Sequence, residues 1–208
     1  MMGLCTATSL IANSQTITVD LDNVSTSAFK ETFDLDDASW ATGAFSQLVY
    51  ANNGTNGFVS HTIAAPSMDT TLFRGYSSFD SSGSRFVGDW ISDGITSISF
   101  DVIHDWPAPV TFFSRIAPPA NFPGQIAVSF VPVLPNTWTT VTLDVSDTSV
   151  QLFGEGQPFA NTFSDVGNIQ IGISALVPEP NLAAMAMMGL MYLGFGLRQR
   201  ADERRATP

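Results

Sequence analysis

The sequence predicts an all-β protein, an antiparallel β-sandwich or barrel followed by a single transmembrane helix at the C-terminus. Short segments of alternating apolar and polar residues recur along the chain, separated by Gly and Pro. The body shows no convincing 3.6-residue apolar repeat, and an uninterrupted apolar run lies near the C-terminus. With 44% apolar residues and 16 Phe, the chain can form a hydrophobic core.

The predicted body spans residues 15–176. We expect Ile98, Phe100, Val102, Val141, Leu143, Ile169 and Ile171 to face inward, because strand side chains alternate between the two faces of a sheet. No internal repeat is present, which disfavours a propeller or solenoid. The alternating segments are residues 17–21, 58–63, 98–102, 110–116, 125–131, 138–145 and 168–174.

Residues 1–14 are apolar and small, and Ala12-Asn13-Ser14 has the small-x-small form of a signal-peptidase site. The positive segment that normally opens a signal peptide is missing, so the sequence predicts a truncated signal peptide. A frayed leader or a first strand is the alternative. Cys5 is the only cysteine, which rules out a disulfide framework in the body.

The formal net charge is −11, yet four of the eight basic residues lie within the last eleven positions. The body is therefore strongly acidic and would repel a phosphate backbone, so we expect no nucleic-acid partner. An acidic body is compatible with bound cations or with neutral sugars.

The C-terminal segment, residues 177–208, differs from the body. Pro178-Glu179-Pro180 interrupts strand pairing and favours an extended linker. Residues 182–197 are apolar and uncharged, which predicts a somewhat short membrane helix. Arginines after the run would keep the C-terminus in the cytoplasm. A buried helix of a soluble domain is the alternative. The arginines are Arg198, Arg200, Arg204 and Arg205.

This order of motif, apolar run and arginine cluster resembles the PEP-CTERM sorting signal of certain Gram-negative bacteria. The resemblance implies that an exosortase, a membrane-embedded transpeptidase-like enzyme, recognises Pro178, Glu179 and Pro180. It also implies a precursor anchored in the inner membrane with its body outside the cytoplasm, and later a place at the cell surface or in the extracellular matrix. Residues 199 and 201–203 interrupt the arginine cluster, a mild departure from the family's compact basic end.

The body weakly resembles laminin IV and galactose-binding-like jelly rolls. The resemblance covers residues 86–102, 138–145 and 166–173, and it implies a jelly-roll-like sandwich that binds carbohydrate through aromatic side chains. Trp40, Trp90 and Trp106 lie near predicted strand ends, where a ring can stack on a sugar. Trp90 and Trp106 are the candidate sugar-binding residues, and core positions are the alternative.

We expect no enzymatic activity and no organic cofactor, because none of the common catalytic motifs is present. His104-Asp105-Trp106 could form part of a catalytic dyad, but polar residues at a strand end are the commoner explanation. The body's two glutamates, Glu31 and Glu155, lie in no recognisable active-site setting.

The acidic segment at Asp34, Asp36 and Asp37 is a candidate structural calcium site, since oxygen-rich loops suit Ca²⁺. It lacks the complete EF-hand loop, and an acidic turn without an ion is the alternative. Three functions stay open: a surface protein that binds polysaccharide, a structural surface or biofilm component without a ligand, and a polysaccharide hydrolase.

Overall fold

A computed structural model describes residues 16–52, 54, 56–64 and 70–176 of the chain. The predicted signal peptide, the predicted sorting tail and the predicted transmembrane helix lie outside the described residues. Within the described ranges, no helix is long and apolar enough to cross a membrane.

Twelve strands and one short helix form the described part. The helix α1 is Phe159–Phe163, and two 3₁₀ turns cover Ser77–Phe79 and Ser81–Ser84. The strands are β1 (Thr16–Ser25), β2 (Lys30–Glu31), β3 (Ala41–Thr42), β4 (Val49–Asn52), β5 (Gly57–Ala64), β6 (Thr70–Tyr76), β7 (Ser97–His104), β8 (Val110–Ala117), β9 (Gln125–Val128), β10 (Thr139–Asp144), β11 (Leu152–Gly154) and β12 (Asn168–Leu176).

The strands form two six-stranded sheets, and all the pairings between them are antiparallel. Sheet A has the order β10-β7-β1-β5-β4, with β2 paired to β1. Sheet B has the order β11-β9-β8-β12-β6-β3. The prediction of an all-β antiparallel sandwich is confirmed.

One hydrophobic core contains the inward side chains of both sheets. Along β7, every second residue from Ile98 to His104 is buried, as the two-residue period predicts. The prediction of inward-facing residues is confirmed, because all seven are at most 4% exposed: Ile98, Phe100, Val102, Val141, Leu143, Ile169 and Ile171.

Loops pack against part of the outer face of sheet B, and an ion pair fastens one of them. Nε and Nη2 of Arg115, on β8, each donate to a carboxylate oxygen of Glu155 at 2.6 Å. The backbone N–H of Gly124 donates to the same carboxylate at 2.7 Å. Both side chains are mostly buried. The pair therefore links β8 to the loop after β11, which contains Glu155, and to the loop before β9, which contains Gly124.

This ion pair should make stability depend on acid pH. Hydrogen bonds from Arg115 hold the pKa of Glu155 below its ordinary value of 4.5. A carboxylate with a lowered folded-state pKa stabilises the fold above its unfolded pKa, and that contribution disappears as the pH falls through the folded-state pKa. Glu155→Gln should therefore lower stability by roughly 2 kcal/mol at neutral pH and much less in acid.

The measurement is the Tm of both proteins across a pH series from neutral to strongly acidic. The two curves should approach each other as the pH falls through the carboxylate range. Asp93→Asn removes an exposed carboxylate and serves as the control. A Tm difference for Glu155→Gln that stayed constant at every pH would contradict the assignment.

Candidate functional site

The outer face of sheet A is polar and carries no basic residue on its four long strands. The inward residues of β1, β5, β7 and β10 are mostly apolar, so the alternate positions point away from the core. None of these four strands contains Lys or Arg. Hydroxyl, carboxylate and amide groups occupy nearly all of the outward positions.

Two aromatic side chains stand on this polar face. Trp138 directly precedes β10 and is 44% exposed, while Phe58 is an outward residue of β5. Their ring centroids are 6.1 Å apart with the planes near perpendicular. Strands β7 and β1 lie between β10 and β5, a separation of about 14 Å at the usual strand spacing. The rings therefore meet by leaning across the outward side chains of β7 and β1.

A row of polar groups crosses the sheet beside this aromatic pair. Thr140 on β10 and Asn23 on β1 both donate hydrogen bonds to the carboxylate of Asp101 on β7. The three residues are aligned by strand register. A second hydrogen bond joins the hydroxyls of Ser99 and Thr142 at 2.8 Å. These bonds hold the polar side chains in fixed orientations on the face.

The pKa values of two carboxylates on β1 are raised. Burial raises the pKa of Asp20, a hydrogen bond from Ser60 opposes this shift, and the charge of Asp105 adds to it. Burial, followed by the charge of Asp101, also raises the pKa of Asp22. The face thus concentrates negative charge, which disfavours phosphorylated or sulfated ligands.

The arrangement suits a neutral polyhydroxylated ligand. An exposed indole ring presents a flat apolar surface of the kind that stacks on the C–H face of a sugar ring. Carboxylate, amide and hydroxyl groups beside it can accept and donate hydrogen bonds to sugar hydroxyls. Because these groups lie on strands of a packed sheet, they need little reordering to bind.

The structure corrects the expected position of the sugar-binding aromatics. Trp90 is 1% exposed, packs against Phe163 with its ring centroid 6.0 Å away and donates its indole N–H to the carbonyl of Phe86. Trp106 is 8% exposed and belongs to the same core. Neither ring can stack on a sugar in this position. Trp40 is likewise buried.

A cavity of about 730 Å³ lies between residues 31–39 and the 80–85 turn. Asp34 and Asp36 line it, but their carboxylates accept hydrogen bonds from Thr32 and from the N–H of Ala38 within the same loop. Asp37 similarly accepts from the N–H of Ser39. No group of three or more acidic, His or Cys side chains suited to a metal occurs in the described ranges. The predicted calcium site is therefore not assembled from these residues.

His104 and Asp105 do not form a catalytic dyad. The ring of His104 is buried in the sandwich, where its Nε2 lies 3.1 Å from the carbonyl oxygen of Val133. Burial lowers the pKa of His104. Asp105 instead accepts a hydrogen bond from the backbone N–H of Thr18 at 2.7 Å. His104 and Asp105 line a cavity of about 220 Å³, but the imidazole is engaged with Val133 and the carboxylate with Thr18.

Both glutamates of the body are engaged with arginines. Glu31 accepts from Arg85 at 2.7 Å, and the ion pair of Glu155 with Arg115 is described above. The second carboxylate oxygen of Glu31 accepts from the N–H groups of Thr32 and Phe33. Neither glutamate is placed as a free acid or base on the polar face.

The sorting motif Pro178, Glu179 and Pro180 and the arginines Arg198, Arg200, Arg204 and Arg205 lie outside the described residues. Comparisons with protein-family models, with curated proteins and with solved structures find no match for this chain.

Proposed function

We propose that this is an exported bacterial surface or extracellular-matrix protein whose non-catalytic β-sandwich binds polysaccharide on the outer face of sheet A. Trp138 is the main stacking residue in this proposal, and Phe58 supports its ring. Asp101, Asn23 and Thr140 supply the neighbouring polar contacts. The observation that carries the proposal is the exposed ring of Trp138, in contact with the half-buried Phe58, on a face that consists mainly of polar and acidic side chains.

The strand order supports the finer description of the body as a jelly roll. From β5 to β8 the chain changes sheet at every step, passing from sheet A to sheet B and back. Strand β1 lies between β5 and β7, and β12 lies between β6 and β8, so neither sheet follows chain order. Such crossing between two antiparallel sheets is typical of jelly rolls.

The tail belongs to the same proposal. Residues 182–197 anchor the precursor in the inner membrane with the sandwich outside the cytoplasm, and an exosortase processes the protein at Pro178-Glu179-Pro180. The support is the sequence order of motif, apolar run and arginine cluster. Surface delivery and carbohydrate binding fit one another, because the sandwich would then meet extracellular polysaccharide.

Replacement of the stacking ring tests the binding proposal. Trp138→Ala in the full chain should weaken binding to the host's own exopolysaccharide at least thirtyfold, since a tryptophan hot spot contributes about 2 kcal/mol or more. The Tm should change little, because the ring is nearly half exposed. Isothermal titration calorimetry and thermal unfolding measure the two effects.

Phe122→Ala is the matched control, because it removes a 69% exposed aromatic ring from the loop between β8 and β9. It should leave affinity unchanged. Equal affinity of the wild-type and Trp138→Ala proteins would overturn the assignment of the face. Absence of binding to any polysaccharide in the wild type would instead favour a purely structural surface component.

A further inference from the structure

The described chain leaves the sandwich beside the start of β8. Leu176, the last residue of β12, pairs with Val110 at the beginning of β8. Val110 in turn exchanges backbone hydrogen bonds with Val133, at 3.1 and 2.7 Å. We call this end of the sandwich, where Val110, Val133 and Leu176 lie together, the exit end.

An exposed apolar loop lies at the exit end. Phe130, Val131 and Leu134 are 60%, 70% and 57% exposed, while Val133 between them is buried and anchors the loop. The hydroxyl of Ser129 bonds both the N–H and the carbonyl of Val131, which fixes the turn. Residues 125–138 contain no charged side chain.

The short linker after Leu176 limits how far the exit end can be from the apolar run. Only residues 177–181 separate Leu176 from the apolar run at 182–197. Five linking residues span at most about 20 Å in any conformation, so if the run enters a bilayer, the exit end is tethered within about that distance of the membrane surface.

We infer that Phe130, Val131 and Leu134 insert into the outer interface of the lipid bilayer and seat the precursor's sandwich on the membrane. The inference rests on the proposed membrane anchor. Transfer of apolar side chains from water to the acyl region lowers the free energy, and the loop has no charge that would oppose this transfer. Since the loop has no basic residue either, lipid contact should not depend on anionic headgroups.

A lipid-quenching experiment on the full chain tests this seating. In a Cys5→Ser background, Val131→Cys and, separately, Phe122→Cys carry an environment-sensitive fluorophore. Phe122 follows the far end of β8, and an eight-residue strand separates it from the exit end by about 23 Å. The proteins are reconstituted into phosphatidylcholine vesicles containing lipids brominated near the headgroup.

Bromolipid should quench the fluorophore at residue 131 by more than half and leave the one at residue 122 almost unchanged. Added phosphatidylglycerol should not alter this difference. Equal, weak quenching at both positions in protein that resists alkaline extraction would overturn the inference while leaving the anchor proposal intact. Protein extracted at alkaline pH would overturn both. Quenching lost on adding soluble polysaccharide, or burial of residue 131 in detergent-solubilised dimers, would assign the loop to another partner and overturn it too.

Discussion

Val141→Asp is expected to unfold the sandwich. Val141 lies on β10, is 4% exposed and packs in the core that both sheets share. A carboxylate at this position would be buried without a partner, which costs several kcal/mol. That loss is comparable with the entire stability of an ordinary domain, about 5 to 15 kcal/mol.

Thr142→Asp is the matched control, because residue 142 is the next residue of β10 and is exposed on the outer face. Its new charge is solvated, and it removes one hydroxyl hydrogen bond to Ser99. Circular dichroism and thermal unfolding of the two full-length variants compare the effects. A cooperative transition for Val141→Asp within a few degrees of the wild type would show that β10 does not pack as described.

Strict alternation made the long strands predictable. In β7 and β10 one side of the strand meets the core and the other meets solvent, so the two-residue period appears directly in the sequence. All seven predicted segments fall on strands, although the fifth ends at Val128 rather than at residue 131. Beyond Val128 the chain forms the Ser129 turn and then the exit-end loop, and two prolines interrupt regular pairing there.

Strand β6 was missed because its burial does not alternate. Leu72 and Phe73 are adjacent and both fully buried, and Tyr76 is buried as well. Loops cover the outer face at this point: Phe45 from the β3–β4 loop packs 5.6 Å from the ring of Tyr76. Where both faces of a strand are covered, an apolar run replaces alternation and its period no longer identifies it.

For the candidate site, the prediction from the sequence chose the wrong aromatic residues and overlooked one signal that the sequence contains. Proximity to a strand end suggested exposure for Trp90 and Trp106, but a sandwich also buries large rings at its ends. Trp138, Thr140 and Thr142 are separated by two residues each, so their side chains point to the same side of the strand, opposite to Val141. This alternation already predicts that the ring of Trp138 faces outward. Its partner Phe58 could not be found this way, because the contact crosses two intervening strands and depends on the sheet order.

Replacing Pro178, Glu179 and Pro180 together with alanines should stop processing of the precursor without preventing membrane insertion. Two prolines around one charged residue form an extended, helix-incompatible motif, whereas three alanines would extend the apolar helix and remove the charge. Immunoblots of the native host should then show the uncut precursor as the predominant form, still resistant to alkaline extraction.

Two comparisons separate recognition of the motif from general damage to the tail. Asp202→Ala with Glu203→Ala changes the charge of the tail beyond the apolar run and leaves the motif intact, so processing should continue. Deletion of residues 198–205 removes all four arginines, and it should disturb orientation and retention because cytoplasmic positive charge fixes the direction of a membrane helix. If the triple-alanine protein were shortened as efficiently as the wild type, Pro178-Glu179-Pro180 would not be a sorting motif, and residues 182–197 would act as a plain anchor.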